Sequence, residues 1–235
     1  MSKFFPTPKI TKMGSDVELI AYECQDTLVQ LVYLAPGANF ALHEHLESQM
    51  GMIISGRLEM NVNGTTEIIE PLQQAYIANA YVPHGSVNIF PETAIVFDVK
   101  RIITSLPSEK TDEVFLKVSP KKDEITGLPC QSIVASWFEI VITEIPPGGI
   151  IPMAQSTSEE MGIILNRQLT MSVEDEQQQL EYGSIYYAPV GVFCGGYNYS
   201  NEAVSLIKIL IPPSSNFSYK EASLSEITAR SLTAS

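Results

Sequence analysis

The sequence predicts an all-β protein of antiparallel strands, arranged as a barrel or a sandwich. Short apolar segments rich in β-branched and aromatic residues recur about every ten residues, and turn residues close them. Helical periodicity is nearly absent before the C-terminal tail. The segments, in chain order, cover residues 28–38, 50–56, 58–64, 75–83 and 94–101.

Local turn signals close these segments in order. Pro36-Gly37 ends the first segment, and Pro83 ends the fourth. Asn63-Gly64 closes the third with a dipeptide that is typical of a β-hairpin. The fifth segment, AIVFDVKR, ends at a charged and proline-punctuated stretch.

Composition limits the class of protein. A chain of 235 residues with 45% hydrophobic content can bury a sizeable core. The balance of 27 acidic against 14 basic residues argues against a nucleic-acid or anionic-membrane partner. The three cysteines, Cys24, Cys130 and Cys194, are far apart and predict a reducing, cytoplasmic location. No apolar run approaches a signal peptide or the roughly 20 residues of a membrane span.

The second half of the chain repeats the first. Residues 34–60 align without a gap on residues 145–171, and residues 75–88 match 185–198 after a one-residue deletion. Self-similarity at a period of about 110 residues predicts two copies of a domain of ordinary size.

We expect the first domain over residues 15–101 and the second over 131–212. The stretch 102–130 is the expected connector, because it is charged and punctuated by proline. Residues 213–235, rich in Ser, Thr and Ala, form the expected tail.

The histidines predict a metal site in the first domain. His43 and His45, two apart on a strand, share one face, and Gln49 can return to the same cavity. His84, the third histidine of the chain, arrives from another hairpin. Three imidazoles and one amide oxygen form a four-ligand set that leaves positions open on an octahedral metal.

The same residues carry a family resemblance. Gly37, His43, His45, Gln49 and Gly56 follow the spacing of the first cupin motif, whose last ligand is usually glutamate. The stretch PHGSVN, residues 83–88, resembles the second cupin motif and supplies the third histidine. Together with the repeat, the resemblance implies two tandem cupin barrels, each a double-stranded β-helix or jelly roll.

Further stretches resemble one branch of that superfamily, the bicupin isomerases of bacilysin and aeruginosin biosynthesis. These stretches are FFPTPK, QMGMIISGRLEM, AYIA, VPHGSVN and FDVKR. Such enzymes shift a ring double bond of dihydro-4-hydroxyphenylpyruvate, a 2-oxo acid made from prephenate. The resemblance implies this small-molecule substrate and one divalent transition metal per chain, with Fe, Co, Ni and Zn as the alternatives.

The neutral ligand Gln49 suits that chemistry. It leaves the full charge of a divalent ion available to hold an anionic 2-oxo acid and to polarise its carbonyl group. It is less suited to stabilising a higher oxidation state in oxygen chemistry. The alternative is that Gln49 only hydrogen-bonds a metal-bound water.

The second domain lacks the ligand set. Ala154, Ser156 and Cys194 stand at the positions of the three histidines, and Glu160 alone remains as a ligand. We expect Cys194 to pack as a small hydrophobe. The second domain is then a structural partner that covers the first, completes its sheets or mediates a homodimer.

Three further residues are hypotheses for the catalytic site. An inward Lys100 pairs with the substrate carboxylate, the alternative being a solvated charge at a strand end. Tyr76 and Tyr33 hydrogen-bond the ring hydroxyl, unless they find backbone partners instead. The proton shuttle is left open among a metal-bound hydroxide, a tyrosine and a carboxylate.

Two other functions stay open at this point. One is a cupin dioxygenase with the same ligand set, which oxygen consumption would distinguish from an isomerase. The other is a non-catalytic bicupin that binds or stores small molecules. The intact ligand set in one copy argues against storage, because storage needs no metal.

Overall fold

The computed structural model describes residues 2–103, 112–214 and 220–221. Within these residues the chain forms 22 β-strands, and no helix is long and apolar enough to cross a membrane. The strands belong to two compact units, one over residues 7–118 and the other over the described parts of 1–6 and 119–235.

The first unit consists of two sheets in which all neighbouring strands are antiparallel. Its strands are β1 (Lys9–Met13), β2 (Val17–Cys24), β3 (Thr27–Leu34), β4 (Asn39–His43), β5 (Ser48–Ser55), β6 (Leu58–Val62), β7 (Thr65–Ile69), β8 (Gln74–Ala78), β9 (His84–Val87), β10 (Ala94–Arg101) and β11 (Phe115–Lys117). The larger sheet has the order β1-β2-β3-β10-β5-β8-β11, and the smaller has the order β4-β9-β6-β7. The two sheets enclose a core of buried, mainly aliphatic side chains.

The second unit repeats this plan. Its strands are β12 (Ser119–Lys122), β13 (Pro129–Val134), β14 (Glu139–Ile145), β15 (Ile150–Gln155), β16 (Glu159–Ile164), β17 (Gln168–Val173), β18 (Glu176–Glu181), β19 (Ile185–Ala188), β20 (Phe193–Tyr197), β21 (Val204–Ile211) and β22 (Lys220–Glu221). They form the sheets β12-β13-β14-β21-β16-β19 and β18-β17-β20-β15-β22. The prediction of an all-β chain with two jelly-roll barrels is confirmed.

Turn chemistry fixes the predicted hairpin between β6 and β7. Asn63 and Gly64 both have positive φ, 52° and 83°, as the two-residue turn of a tight hairpin requires. The predicted segment 75–83 is shorter as a strand, because β8 ends at Ala78 and Tyr81 has a φ of 61° in the following turn.

The repeated asparagines hold a turn in each unit. Asn88 Nδ2 donates to the carbonyls of Leu34, at 2.9 Å, and Glu92, at 2.8 Å, and the Gly37 amide donates to the Asn88 carbonyl. Asn198 makes the same kind of bonds to Ile145 and Glu202 in the second unit, where Gly148 is its partner. The asparagine and glycine that the two units have in common therefore stabilise the same turn in each unit.

The predicted domain limits stay a prediction, and the compact units are wider. Strand β1 precedes residue 15, and β11 and β12 lie inside the stretch 102–130. Phe4 and Phe5 belong to the core of the second unit, where the Tyr187 amide donates to the Phe4 carbonyl. Of the predicted tail over 213–235, only residues 213–214 and 220–221 lie within the described residues.

Candidate metal centre

Two neighbouring strands of the smaller sheet carry two of the histidines. His43 ends β4 and faces His84, the first residue of β9, as its cross-strand partner. His45 follows β4 in the connection to β5. One ring nitrogen from each of the three histidines lies within 4.8 Å of the other two.

Backbone carbonyls fix the tautomer of all three rings. In each histidine, Nδ1 lies 2.9 Å from a carbonyl oxygen two residues away in the chain. A carbonyl can only accept, so Nδ1 carries the proton and Nε2 presents its lone pair. The carbonyl partners of His43, His45 and His84 are Ala41, Glu47 and Val82.

Gln49 adds a fourth acceptor to the cluster. Its Oε1 lies 3.0 Å from His45 Nε2 and 3.2 Å from His84 Nε2, and the side chain is buried. Lone pairs that meet at these distances repel one another unless a cation lies among them. Three neutral imidazoles and an amide oxygen are ligands that transition metals accept, so the donor set fits a divalent ion.

The electrostatics of His84 support metal binding. Burial lowers the pKa of His84 to about 4, and the neighbouring His43, His45 and Lys100 act in the same direction. The imidazole is therefore neutral near pH 7. A neutral ring is the form that binds a metal ion.

Behind Gln49 lies a buried hydrogen-bond chain. Gln49 Nε2 donates to the Tyr76 hydroxyl, and that hydroxyl donates to Asp98 Oδ1. Burial raises the pKa of Tyr76 well above its ordinary value, and the Asp98 carboxylate adds to this. Burial also raises the pKa of Asp98, an effect that Lys100 opposes.

The cluster opens into a cavity of about 190 Å³ inside the first barrel. The polar wall includes Lys100 on β10 beside the histidines. The rest of the wall is mainly apolar, which suits a ring-containing ligand with one charged end. The lining side chains are Met13, Leu19, Gln30, Val32, Leu34, Phe40, His43, Gln49, Leu58, Met60, Tyr76, His84, Ser86, Val96, Asp98 and Lys100.

The structure does not bring Tyr33 to this cavity. Strand alternation directs Gln30, Val32 and Leu34 of β3 into the cavity, and Tyr33 lies on the other face of the strand. Tyr33 is therefore not among the residues that line the cavity. Arg101, next to Lys100, pairs instead with Asp26 at 2.9 Å.

Asp98 is the site residue that sequence reasoning missed. It lies on the same face of β10 as Val96 and Lys100. A single acidic residue within a mainly apolar strand is a sequence feature that could have indicated a site residue. A second signal is the repeat itself, which places Lys208 at the position of Asp98. Only the fold shows that Tyr76 joins Asp98 to the ligand set.

The second barrel keeps the register without the ligands. Ala154 on β15 faces Cys194 on β20, as His43 faces His84. Burial raises the pKa of the Cys194 thiol well above its ordinary value, and Glu160 adds to this, so the thiol stays protonated. Cys194 packs against the core of its unit, and none of the three cysteines, all within the described residues, forms a disulfide.

Fold and site together define a bicupin, with one three-histidine cluster suited to a metal among the described residues. The Cupin domain family matches residues 30–100. The H2HPP isomerase of Bacillus subtilis is 30% identical over 214 residues, which are 91% of this chain and 91% of that protein. The chain belongs to the H2HPP isomerase family of bicupins.

Solved structures agree with this assignment. AerE from Microcystis aeruginosa is 50% identical, with a TM-score of 0.86 over 89% of this chain and 99% of that chain. Oxalate decarboxylase from Lactobacillus farciminis has a TM-score of 0.75 over 100% of this chain and 95% of that chain. At 12% identity, the latter shows the shared fold alone.

Proposed function

We propose that the protein is a metal-dependent isomerase that shifts a ring double bond of dihydro-4-hydroxyphenylpyruvate in secondary metabolism. The observation that carries the proposal is the group of four convergent acceptor atoms at the end of a cavity of about 190 Å³. Membership of the H2HPP isomerase family supports the choice of substrate.

The residues that would hold the metal are His43, His45, His84 and Gln49. Because all four are neutral, they suit a divalent transition ion such as Fe, Co, Ni or Zn. Such an ion supplies Lewis acidity, which polarises the keto group of a 2-oxo acid and acidifies the neighbouring C–H bond.

Lys100 is the proposed partner of the substrate carboxylate. It lines the cavity from β10, opposite Gln49 in the β5–β10 register. A partly buried ammonium group beside the metal ligands orients an anionic 2-oxo acid with its polar end toward them. The apolar wall then receives the ring and excludes water from it.

The proton must move between two carbons of the bound acid. With the imidazoles on the metal, the titratable side chains that line the described cavity are Tyr76, Asp98 and Lys100. Tyr76 and Asp98 already share one proton in a buried hydrogen bond. Because Lys100 is the proposed partner of the substrate carboxylate, we assign the proton transfer to Tyr76 and Asp98.

The decisive experiment incubates purified protein with the prephenate-derived 2-oxo acid under nitrogen and follows the ultraviolet absorbance. The expected product has the mass of the substrate and a different spectrum, because its conjugation changes. A chelator should stop the reaction, and a divalent ion should restore it. A heavier product that forms only in air would instead identify a dioxygenase, and binding without turnover would identify a non-catalytic bicupin.

The cellular setting also stays a prediction. The three cysteines form no disulfide, which supports the cytoplasm as the expected location. A homodimer is the expected assembly if the second barrel serves association, and sedimentation of the purified chain would test it.

A further inference from the structure

We propose that Asp98 is a positioning residue that, through Tyr76, fixes which end of the Gln49 carboxamide faces the metal. The inference rests on the metal centre of the proposed function but not on the reaction that occurs there. It also explains why position 49 carries an amide where the usual cupin motif carries a carboxylate.

The Tyr76 hydroxyl has a single proton to donate. Asp98 Oδ1 accepts that proton, so the hydroxyl oxygen has only lone pairs left for Gln49. The end of the carboxamide next to Tyr76 must then be the donor, Nε2, as observed. Oε1 is thereby turned toward His45 and His84.

Without Asp98 the opposite orientation of the amide becomes favourable. The Tyr76 hydroxyl would then be free to donate to Oε1 of Gln49. The amide NH₂ would point at the histidine Nε2 lone pairs and satisfy them, which would block the cation site. Asp98 therefore keeps the metal-free site in the geometry that a cation needs.

The second barrel contains the reverse chain. Tyr186 Oη donates to Glu160 Oε1 at 2.6 Å, and Glu160 stands at the position of Gln49. The position of Asp98 is taken by Lys208, which faces Gly162 as Asp98 faces Gly51. In each barrel the tyrosine hydroxyl thus donates to one carboxylate, which is Asp98 in the first barrel and Glu160 in the second. These two carboxylates stand at different positions of the repeat.

A glycine makes the contact between strands sterically feasible. A Cβ atom on Gly51 would collide with the Asp98 carboxylate and with the ring of Tyr76. Gly162 lies under the ring of Tyr186 in the same way. Gly51, in QMGM, and Gly162, in EEMG, therefore leave the space that the tyrosine ring occupies in each barrel.

The first test measures the Co²⁺ affinity of the metal-free protein and the visible spectrum of the cobalt form. Asp98→Ala and Tyr76→Phe should each weaken Co²⁺ binding about tenfold and change the spectrum. Asp98→Asn should bind almost as the wild type, because its amide oxygen can still accept from Tyr76. Tyr186→Phe is the matched control and should leave both readouts unchanged.

The outcomes separate this inference from the proposed function. A wild-type protein that binds no Co²⁺ contradicts the metal centre itself. If the wild type binds Co²⁺ and Tyr76→Phe binds it equally well, Asp98 does not position Gln49. Equal losses in Tyr76→Phe and Tyr186→Phe would also overturn the inference, since they indicate general destabilisation.

A second test uses thermal unfolding of the metal-free protein and does not depend on Asp98→Ala folding well. Gln49→Glu should lower Tm by several degrees, because two buried carboxylates then compete for one hydroxyl proton. Combining it with Asp98→Asn restores one carboxylate on Tyr76, as in the second barrel, and Tm should recover. Strictly additive effects of the two substitutions would contradict the proposed coupling.

Discussion

In the first barrel, His43 on β4 faces His84 on β9, whereas the matching strands of the second barrel bring Ala154 opposite Cys194. The strand pairing around these positions is the same in both barrels. The barrel frame therefore does not depend on the histidines, which are the proposed metal ligands, since the same backbone pairing holds both barrels.

The frame has its own set of repeated residues. Gly37 and Gly148 adopt positive φ, 82° and 68°, which favours glycine at the turn that each asparagine holds. Because Asn88 and Asn198 keep the same partners in both barrels, the conserved half of each motif serves the fold. The half that differs between the barrels contains the proposed metal ligands.

The second barrel carries a buried ion pair near its altered site. Lys208 Nζ lies 2.6 Å from Asp123 Oδ2, and both side chains are almost fully buried. Burial penalises each charge, so the pair is stable only while both partners are present. The first barrel instead has a buried Asp98, whose pKa burial raises while Lys100 and the Tyr76 hydrogen bond favour its charged form.

The largest expected effect comes from removing a proposed metal ligand of the first barrel. The substitution at the equivalent position of the second barrel is the control. His84→Ala should abolish metal retention and reduce turnover by about a thousandfold, because the metal contributes several kcal/mol to the reaction. Cys194→Ala should change neither quantity. Elemental analysis of the purified chain should give one metal per wild-type chain, and two tightly bound metals would refute a single site.

Loss of the buried ion pair should have the next largest effect, and on stability alone. Asp123→Asn leaves Lys208 buried without its partner, which should cost about 3–5 kcal/mol of unfolding free energy in urea titrations. The matched variant Asp98→Asn keeps an acceptor for Tyr76 and should cost less than about 1 kcal/mol. Similar losses in both variants would contradict the contrast between the two barrels.

The ion pair also predicts how stability depends on pH. Burial opposes the ionisation of Asp123, but Lys208 outweighs it and holds the pKa of that carboxyl below its ordinary value. The stabilisation is therefore fully present above the pKa of the unfolded state, about 4. It is lost as the pH falls through the lower pKa of the folded state. Acid titration should show this loss in the wild type and not in Asp123→Asn.

Lys100 should affect substrate binding more than turnover. Lys100→Gln removes one charge that holds the substrate carboxylate, so KM should rise about tenfold, or roughly 1.4 kcal/mol, with little change in kcat. Lys100→Arg should recover part of the affinity. Arg101→Gln is the control, because Arg101 pairs with Asp26, and an equal rise in its KM would exclude a specific role for Lys100.

Sequence patterns predict those parts of the site that are local in the chain. His43 and His45 are two residues apart, and this spacing predicted that they lie together. The structure differs in one respect, because β4 ends at His43 and His45 lies in the connection that follows. The partners of Tyr76 are different, because Asp98 and Gln49 lie 22 and 27 residues away and meet it only through the order β10-β5-β8. The role of Tyr33 stays a prediction, and this residue of β3 is not among those that line the cavity.

Sequence patterns also did not predict the polar edge strand β1. Every residue of β1, KITKM, is exposed, so this strand lacks the apolar alternation that indicates a half-buried strand. The pairing of Asp123 with Lys208 joins residues 85 apart in sequence. Contacts of this kind depend on strand register, which a single sequence does not specify.

The smallest expected effect tests why the first barrel carries Gln49 where the second carries Glu160. In Gln49→Glu, the added charge attracts the ion, so metal content should be retained. The same charge lowers the Lewis acidity of the ion and repels an anionic substrate, so turnover should fall severalfold and KM should rise. Steady-state kinetics with the 2-oxo acid and elemental analysis measure both quantities. Adding Asp98→Asn should relieve the competition for the Tyr76 proton and leave the kinetic defect, because the charge beside the ion is still there. Kinetics identical to the wild type in the single variant would mean that Gln49 lies outside the set of metal ligands or that its neutrality has no role.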